Sequence, residues 1–441
     1  MVAPYPPTNL HQEAGNPRLR RAIAQHIQAA PGQRISFATY MDWVLYHPSE
    51  GYYVTNRAHI GAEGDFVTSP HLAADFGELL AEQFADMWQR LGCPVPFTLV
   101  EMGAGQGLII QDVLRYLHRH HFECFEALEY IVVEKSPAMV AAQQRQFANL
   151  TRTWQRLSWR TWDEISPHSV VGCFFSNELV DAFPVHRVVV DQGRLREIYV
   201  TTYPLHQQAS IADFQPVDES ALDRPEGEPE AAALPQFIEV VDELSTPRLQ
   251  EYFQQAGIDL TAAPYPSGYQ TEVNLAALDW MQIVGDRLQR GYVLTIDYGY
   301  PAQRYYSPSR AAGTLQCYYQ HAYHSDPYRL VGHQDLTAHV DFTALERQGE
   351  RCGLQSLGLT QQGLFLMALG LGDRLAALSQ PAPEQPLSAS DLIRRREALH
   401  ALINPMGLGN FSVLLQAKGL AAAEVKQPLL GLQIPPMPTL G

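Results

Sequence analysis

The sequence predicts an α/β fold on a Rossmann-like sheet, with an N-terminal helical region and a mid-chain helical insertion. Three observations carry this reading. Phe97-Thr-Leu-Val-Glu101 is an apolar run that ends in an acid and breaks into Gly103, Gly105 and Gly107. A periodic apolar segment follows from Leu108 to Tyr116, giving strand, tight turn and helix in succession. Two further apolar runs, Tyr130-Ile-Val-Val-Glu134 and residues 170–175, read as additional strands of a buried parallel sheet.

The remaining elements follow in order. Residues 1–95 form a helical region. Pro17 to Ala29 has helical periodicity, and Ser36 can cap a helix running to Tyr46. An aromatic turn, Tyr46-His-Pro-Ser-Glu-Gly51-Tyr-Tyr53, comes next, and a long helix spans about Ala73 to Leu91. Between them, the segment from Tyr52 to Pro70, with Gly61 and Gly64, is expected to be a lid. Residues 96–203 form the first part of the core. They end in a hairpin whose arms, Val185 to Val190 and Leu195 to Val200, flank Asp191-Gln-Gly193-Arg194. Residues 204–290 are an insertion. Its first part, 204–234, is rich in Pro, Glu, Asp and Ala, and the rest is expected to be mostly helical. Its last helix, Asn274 to Gln289, is expected to stop at Gly291. Residues 291–441 complete the core. Tyr292 to Asp297 reads as a strand, Pro381 to Pro386 as a linker, 391–402 as a basic helix, and Phe411 to Gln416 as a strand able to close the sheet.

Composition narrows the function. A net charge of −16 argues against a general nucleic-acid binder. No apolar run is long enough to span a bilayer. The start, Met1-Val-Ala-Pro-Tyr-Pro-Pro, lacks the basic and apolar regions of a signal peptide. Five scattered cysteines without a Cys-x-x-Cys predict reduced thiols and a cytoplasmic location. No metal-ligand spacing is present. His118, His120 and His121 read as cations at a helix C-terminus.

The glycine spacing indicates the ligand. A dinucleotide fingerprint wants a small residue three positions after its second glycine, where this chain has Leu108. The Glu-x-Gly-x-Gly-x-Gly pattern instead resembles the first motif of class I S-adenosylmethionine-dependent methyltransferases, which implies a sheet of that type. S-adenosylmethionine carries a carboxylate rather than a pyrophosphate, and that group suits free backbone N–H groups at a helix start. Glu101, Gly103, Gly105 and Gly107 are therefore expected at the cofactor. Glu134, at the end of the second strand, is placed to accept both ribose hydroxyls. Gly64, Asp65 and Thr68 of the lid are expected over the cofactor.

Ligands in open α/β sheets bind beyond the carboxyl ends of the strands. Asn177, Glu178 and Asp181 follow the third strand, so they are the candidate acceptor residues. On a helical turn, Glu178 and Asp181 would share a face and could hold a guanidinium by paired, charge-assisted hydrogen bonds. The same residues could instead be a capped polar helix start. Asp297, at the end of a later strand, can bind substrate or cap the next turn. His339 and Asp341 form a further polar pair, with His339 a candidate base.

Motifs along almost the whole chain resemble the MidA-like methyltransferases, a family that includes the mitochondrial complex I assembly factor acting as a protein arginine methyltransferase. They are Tyr46-His-Pro-Ser-Glu-Gly-Tyr-Tyr53, Gly64-Asp-Phe-Val-Thr-Ser-Pro70, Phe76-Gly-Glu-Leu79, the glycine loop, Asn177-Glu178 and Asp181-Ala-Phe-Pro-Val-His186. Ile296-Asp-Tyr-Gly299, Gly313-Thr-Leu315 and Asp335-Leu-Thr-Ala-His-Val-Asp-Phe342 continue the match. The family often has proline where this chain has Ala104. The resemblance implies S-adenosylmethionine as cofactor and methyl transfer to an arginine of a complex I-type protein subunit. Two other classes compete: a methyltransferase for a small molecule or another protein side chain, and a cofactor-binding assembly factor with little catalysis.

Overall fold

The computed structural model describes residues 15–55, 69–203, 234–320, 322–378 and 388–433. Two helices open the chain, α1 (Pro17–Ala29) and α2 (Phe37–Tyr46), with a two-residue strand, Ile35–Ser36, between them. Asn16 caps α1 and Ser36 caps α2 through their side-chain oxygens. Helix α3 (Asp75–Arg90) leads into β1 (Phe97–Met102) and α4 (Leu108–His120). Then come β2 (Leu128–Val133), α5 (Pro137–Gln146), β3 (Leu157–Trp159) and β4 (Val170–Asn177). The hairpin β5 (His186–Asp191) and β6 (Arg194–Thr202) follows. Beyond it lie β7 (Phe237–Asp242), α6 (Arg248–Ala256), β8 (Gln270–Val273), α7 (Leu275–Arg287) and β9 (Leu288–Asp297). The chain ends with α8 (Phe342–Arg351), β10 (Gln355–Gln361), α9 (Gln362–Ala368), α10 (Ala389–Ile403) and β11 (Ser412–Lys418).

The main sheet has seven strands in the order β10-β11-β9-β4-β1-β2-β3. All pairings are parallel except the two made by β11, which is antiparallel to β9 and to β10. This is the class I methyltransferase sheet; β11 joins it, as the sequence predicted, but β10 rather than β11 forms its edge.

Successive residues of each central strand point to opposite faces, and both faces are covered. Leu99, Phe175, Leu294 and Leu415 pack against α3 and α4, whereas Val100, Phe174, Val293 and Leu414 pack against α7 and α8. That two-sided burial explains why these strands read as continuous apolar runs. It also leaves the carboxyl ends of β1, β2 and β4 as the places where polar side chains gather.

The sequence placed a helix stop at Gly291, and the structure corrects this. Helix α7 ends at Arg287, and Gly291 lies inside β9, paired with Gly172 of β4. A Cβ on Gly172 would sit 2.0 Å from the Thr98 carbonyl oxygen, and one on Gly291 would sit 1.9 Å from that of Gly172. The two glycines let three paired strands approach closely just beyond the bulge between Leu288 and Arg290. Gly172→Ala is expected to destabilise the fold by about 3 kcal/mol, the upper range for an overpacked interior. An unchanged urea midpoint would show that the strands can separate there at little cost.

The segment after 234 contains helices, as expected, but it also supplies β7 and β8. These strands join the hairpin in a second, antiparallel sheet. The two-residue strand Ile35–Ser36 pairs with β6, which ties the N-terminal helices to this sheet. Leu19, Ile23, Tyr40, Met41 and Val44 pack with Val185, Val200 and Phe237. The N-terminal region thus stands over the carboxyl edge of the main sheet. Among the described residues, no helix is long and apolar enough to cross a membrane.

Candidate active site

A cavity of about 740 Å³ opens at the carboxyl ends of β1, β2 and β4. Its floor is the turn after β1. Gly103, Gly105 and Gly107 all have positive φ, at 69°, 53° and 73°. Gly103 donates its N–H to the Val133 carbonyl, which ties the turn to β2. Gly107 is the left-handed N-cap of α4 and does not reach the cavity; a Cβ there would meet Phe147 at 2.7 Å. A Cβ on Gly105 would meet nothing within 4 Å, so that backbone faces open space. Gln143 of α5 holds the Gly105 carbonyl at 2.7 Å.

Two acids flank the turn and line the cavity. Glu101 is 2% exposed and accepts a hydrogen bond from the Tyr130 hydroxyl. Burial raises its pKa to about 7; the Tyr130 bond opposes that rise, and the Glu134 charge adds to it. Glu134 lies one residue beyond β2 and accepts from the Ser136 N–H at 3.0 Å. Burial raises its pKa too, against the hydrogen bonds that favour its charged form.

The acceptor side is built at the end of β4. Asn177 and Glu178 line the cavity. Glu178 has φ 52°, which ends the strand abruptly, and Val180–Ala182 form one 3-10 turn rather than an α-helix. The shared helical face predicted for Glu178 and Asp181 therefore does not form. Glu178 faces the cavity, and Asp181 lies behind its wall. The Glu178 carboxylate accepts from Ser69 N–H at 3.3 Å and from Asn177 Nδ2 at 3.1 Å. Burial raises its pKa to about 8, with the Asp181 charge adding to the rise.

Asp297 is fully buried and does not line the cavity. Its Oδ2 accepts from the N–H groups of Val180 and Asp181 at 2.9 and 3.3 Å, and its Oδ1 from Tyr298 N–H at 2.8 Å. It caps the earlier turn that carries Asp181, rather than the turn after its own strand that the sequence offered as an alternative to substrate binding. His339 and Asp341 are not brought together at the cavity. Asp341 caps α8, and burial lowers the His339 pKa to about 4 between the Tyr298 and Tyr300 rings. Gly64, Asp65 and Thr68 lie outside the described residues, as do Gly61 and residues 204–233 of the insertion. Pro70 and His71, which begin two residues past the first of these gaps, do line the cavity.

The walls also include residues of the aromatic turn and of α7 that were not among the candidate site residues. Tyr46 and Tyr53 come from the N-terminal aromatic turn, with stacked rings 5.5 Å apart. Tyr46 donates to the Ala182 carbonyl, and Ser136 Oγ donates to the Tyr53 carbonyl at 3.2 Å. Ala276, Asp279, Trp280 and Ile283 line the far wall from α7. Their spacing of three and four marks one helix face, a signal present in the sequence but indistinguishable there from core packing.

These features fit S-adenosylmethionine. The glycine turn leaves a cradle that a side chain at 105 would fill, and two acids stand where nucleoside hydroxyls can be accepted. Fold and site together define an S-adenosylmethionine-dependent methyltransferase. The chain belongs to a family whose model, described as an S-adenosyl-L-methionine-dependent methyltransferase, matches residues 79–360. It is 27% identical to a candidate methyl transferase from Burkholderia thailandensis solved with S-adenosyl-homocysteine bound, covering 97% of both chains with a TM-score of 0.73. It is also 28% identical to the mitochondrial protein arginine methyltransferase NDUFAF7 homolog of Drosophila melanogaster, over 97% of this chain and 91% of that protein. The human mitochondrial protein arginine methyltransferase NDUFAF7 is 26% identical over 93% of this chain and 86% of its own length. The mitochondrial relatives overturn the cytoplasmic location expected from the cysteine pattern. Widely spaced reduced thiols are equally compatible with other reducing compartments.

Glu134→Ala is expected to weaken S-adenosyl-homocysteine binding by about 1–3 kcal/mol, the cost of a lost charged hydrogen-bond partner. Isothermal titration measures this directly. Unchanged affinity would remove Glu134 from the ribose site.

Proposed function

We propose that this enzyme methylates an arginine side chain of a protein, in a subunit of a complex I-type assembly. The observation that carries the reading is the half-buried Glu178 carboxyl at the cavity wall, beside Asn177 and at the end of β4. A partly desolvated acid at the wall of a mostly apolar cavity suits a cationic acceptor with several N–H donors, and a guanidinium is the side chain that best matches it. The names of the relatives support the same acceptor.

S-adenosylmethionine supplies an electrophilic methyl group when bound, and the acceptor nitrogen gives up one proton in exchange. Gly103 to Gly105 and Glu134 hold the cofactor. Glu178 orients the guanidinium and can take that proton. Asp297 and Asp181 fix the turn behind Glu178 as positioning residues. Tyr46, Tyr53 and Trp280 exclude water and limit the acceptor to an extended side chain.

The test is incubation with methyl-labelled S-adenosylmethionine and a complex I-type membrane fraction from the same source, followed by peptide mapping. Label on arginine of one subunit is expected. Label confined to lysine, histidine or small molecules would overturn the arginine reading.

A further inference from the structure

Behind Glu178 the structure buries three further carboxyl groups. Asp181 is 6% exposed, Asp335 is 2% exposed and Asp297 is fully buried. Asp181 interacts with both Asp297 and Asp335, and Glu178 interacts with both Asp181 and Asp297. The titratable groups around this cluster are themselves acids. Tyr53 donates to Asp335 Oδ1 at 2.8 Å, the Tyr298 hydroxyl donates to Thr337 Oγ1 beside Asp181, and Tyr46 and Tyr318 face Asp181 and Asp335. Neutral donors supply the rest, from Ser69, Asn177, Val180, Ala182 and Tyr298. No lysine or arginine is among the groups that dominate at Glu178, Asp181 or Asp297. Carboxylates so close and so dry cannot all be ionised together, so the cluster retains protons near neutral pH.

A second observation lies on the cavity side. Asn177 lines the cavity, yet its Oδ1 is buried with no hydrogen-bond partner. Its Nδ2 is already committed to Glu178. Just inside the wall there is thus an amide oxygen without a donor beside a carboxyl without a cation. A group bearing both a positive charge and several N–H bonds supplies both.

We propose that binding of a cationic acceptor at Glu178 drives a proton out of the Glu178–Asp181–Asp297–Asp335 cluster, so that acceptor recognition is a proton-for-cation exchange. This rests on the reading of Glu178 as the acceptor contact, and it adds a selection rule. A neutral isostere of the acceptor gains nothing from the exchange and is rejected. The same emptied carboxylate is then ready to receive the proton that the acceptor nitrogen loses on methylation.

The experiment is calorimetric titration of the S-adenosyl-homocysteine-loaded protein at pH 7, in phosphate and in Tris, whose ionisation enthalpies differ. The probes are three short peptides that differ at one central residue: arginine, lysine or citrulline. The arginine peptide is expected to bind with release of close to one proton, and the citrulline peptide to bind at least tenfold more weakly with no release. Raising the pH above 9 should remove the release, because Glu178 is then already ionised. Asp181→Asn should lower the release at pH 7 by removing the charge that keeps Glu178 protonated, while binding persists. Arginine binding with identical heats in both buffers would overturn the proton exchange and leave the arginine reading standing. Lysine binding with release, and no arginine binding, would uphold the exchange and overturn the arginine reading. Failure of both cations to bind better than citrulline would overturn both.

Discussion

Replacing Gly105 with valine is expected to abolish S-adenosylmethionine binding while the protein stays folded. The backbone at 105 has φ 53°, and a Cβ built there meets no heavy atom within 4 Å. Added bulk would therefore enter the cavity without striking the protein. A valine would occupy the space between the glycine turn and the cofactor, and its branched Cβ resists a positive φ. Loss of more than about 4 kcal/mol of binding energy, roughly a thousandfold in Kd, is expected in isothermal titration. Gly193→Val is the matched control. Gly193 has φ 75° and equally open surroundings, but it lies in the β5–β6 turn away from the cavity. It should cost a similar backbone strain and leave cofactor affinity intact. Gly103→Val is a poorer test, because its Cβ would strike Leu179 at 2.7 Å and disturb the acceptor side as well. Retained binding in a folded Gly105→Val protein would remove this turn from the cofactor site.

The parts of this protein that were legible in its sequence are those set by local pattern. Strands β1, β2, β4 and β9 are buried on both faces, so each reads as an apolar run, and their polar ends fall where the acids stand. Glycines with positive φ declare a turn because other residues resist it, which is why the loop from Gly103 to Gly107 was plain. What was not legible depends on neighbours distant in sequence. Gly291 looked like a helix stop, but its reason is the crossing with Gly172, more than a hundred residues earlier. Strands β7 and β8 exist because β6 and β5 offer them edges. Asp181 was misplaced for a local reason that carries no sequence signal. The left-handed backbone at Glu178 breaks the helical turn on which the two acids would have shared a face. Asp297 then became a cap, because the resulting 3-10 turn presents free N–H groups to it.

That same distortion makes Glu178 the residue whose replacement should separate catalysis from cofactor binding. Glu178→Gln keeps the size and both hydrogen-bond partners' positions but removes the ionisable group. Methyl transfer to arginine is expected to fall by roughly 10²–10⁴-fold, the usual contribution of a positioned acid or base. Affinity for S-adenosyl-homocysteine should stay unchanged, since Glu134 and the glycine turn hold that ligand. The pH profiles sharpen the test. Glu178 has its pKa raised to about 8 by burial and by Asp181, so the free enzyme holds it protonated at neutral pH. Wild-type kcat/KM should therefore climb with pH towards about 8, and the glutamine variant should lack that limb. Stability should move the other way. The folded state binds the Glu178 proton more tightly than the unfolded chain does, so the group's contribution to stability is fully present below its ordinary pKa. It is then lost progressively as pH rises to about 8. Glu178→Gln removes that loss, so at pH 8 the variant should unfold at a higher temperature than the wild type although it is nearly inactive. A variant that is both fully active and no more stable at pH 8 would mean that the carboxyl faces neither the acceptor nor the buried acids, and would leave the polar end of β4 as a simple cap.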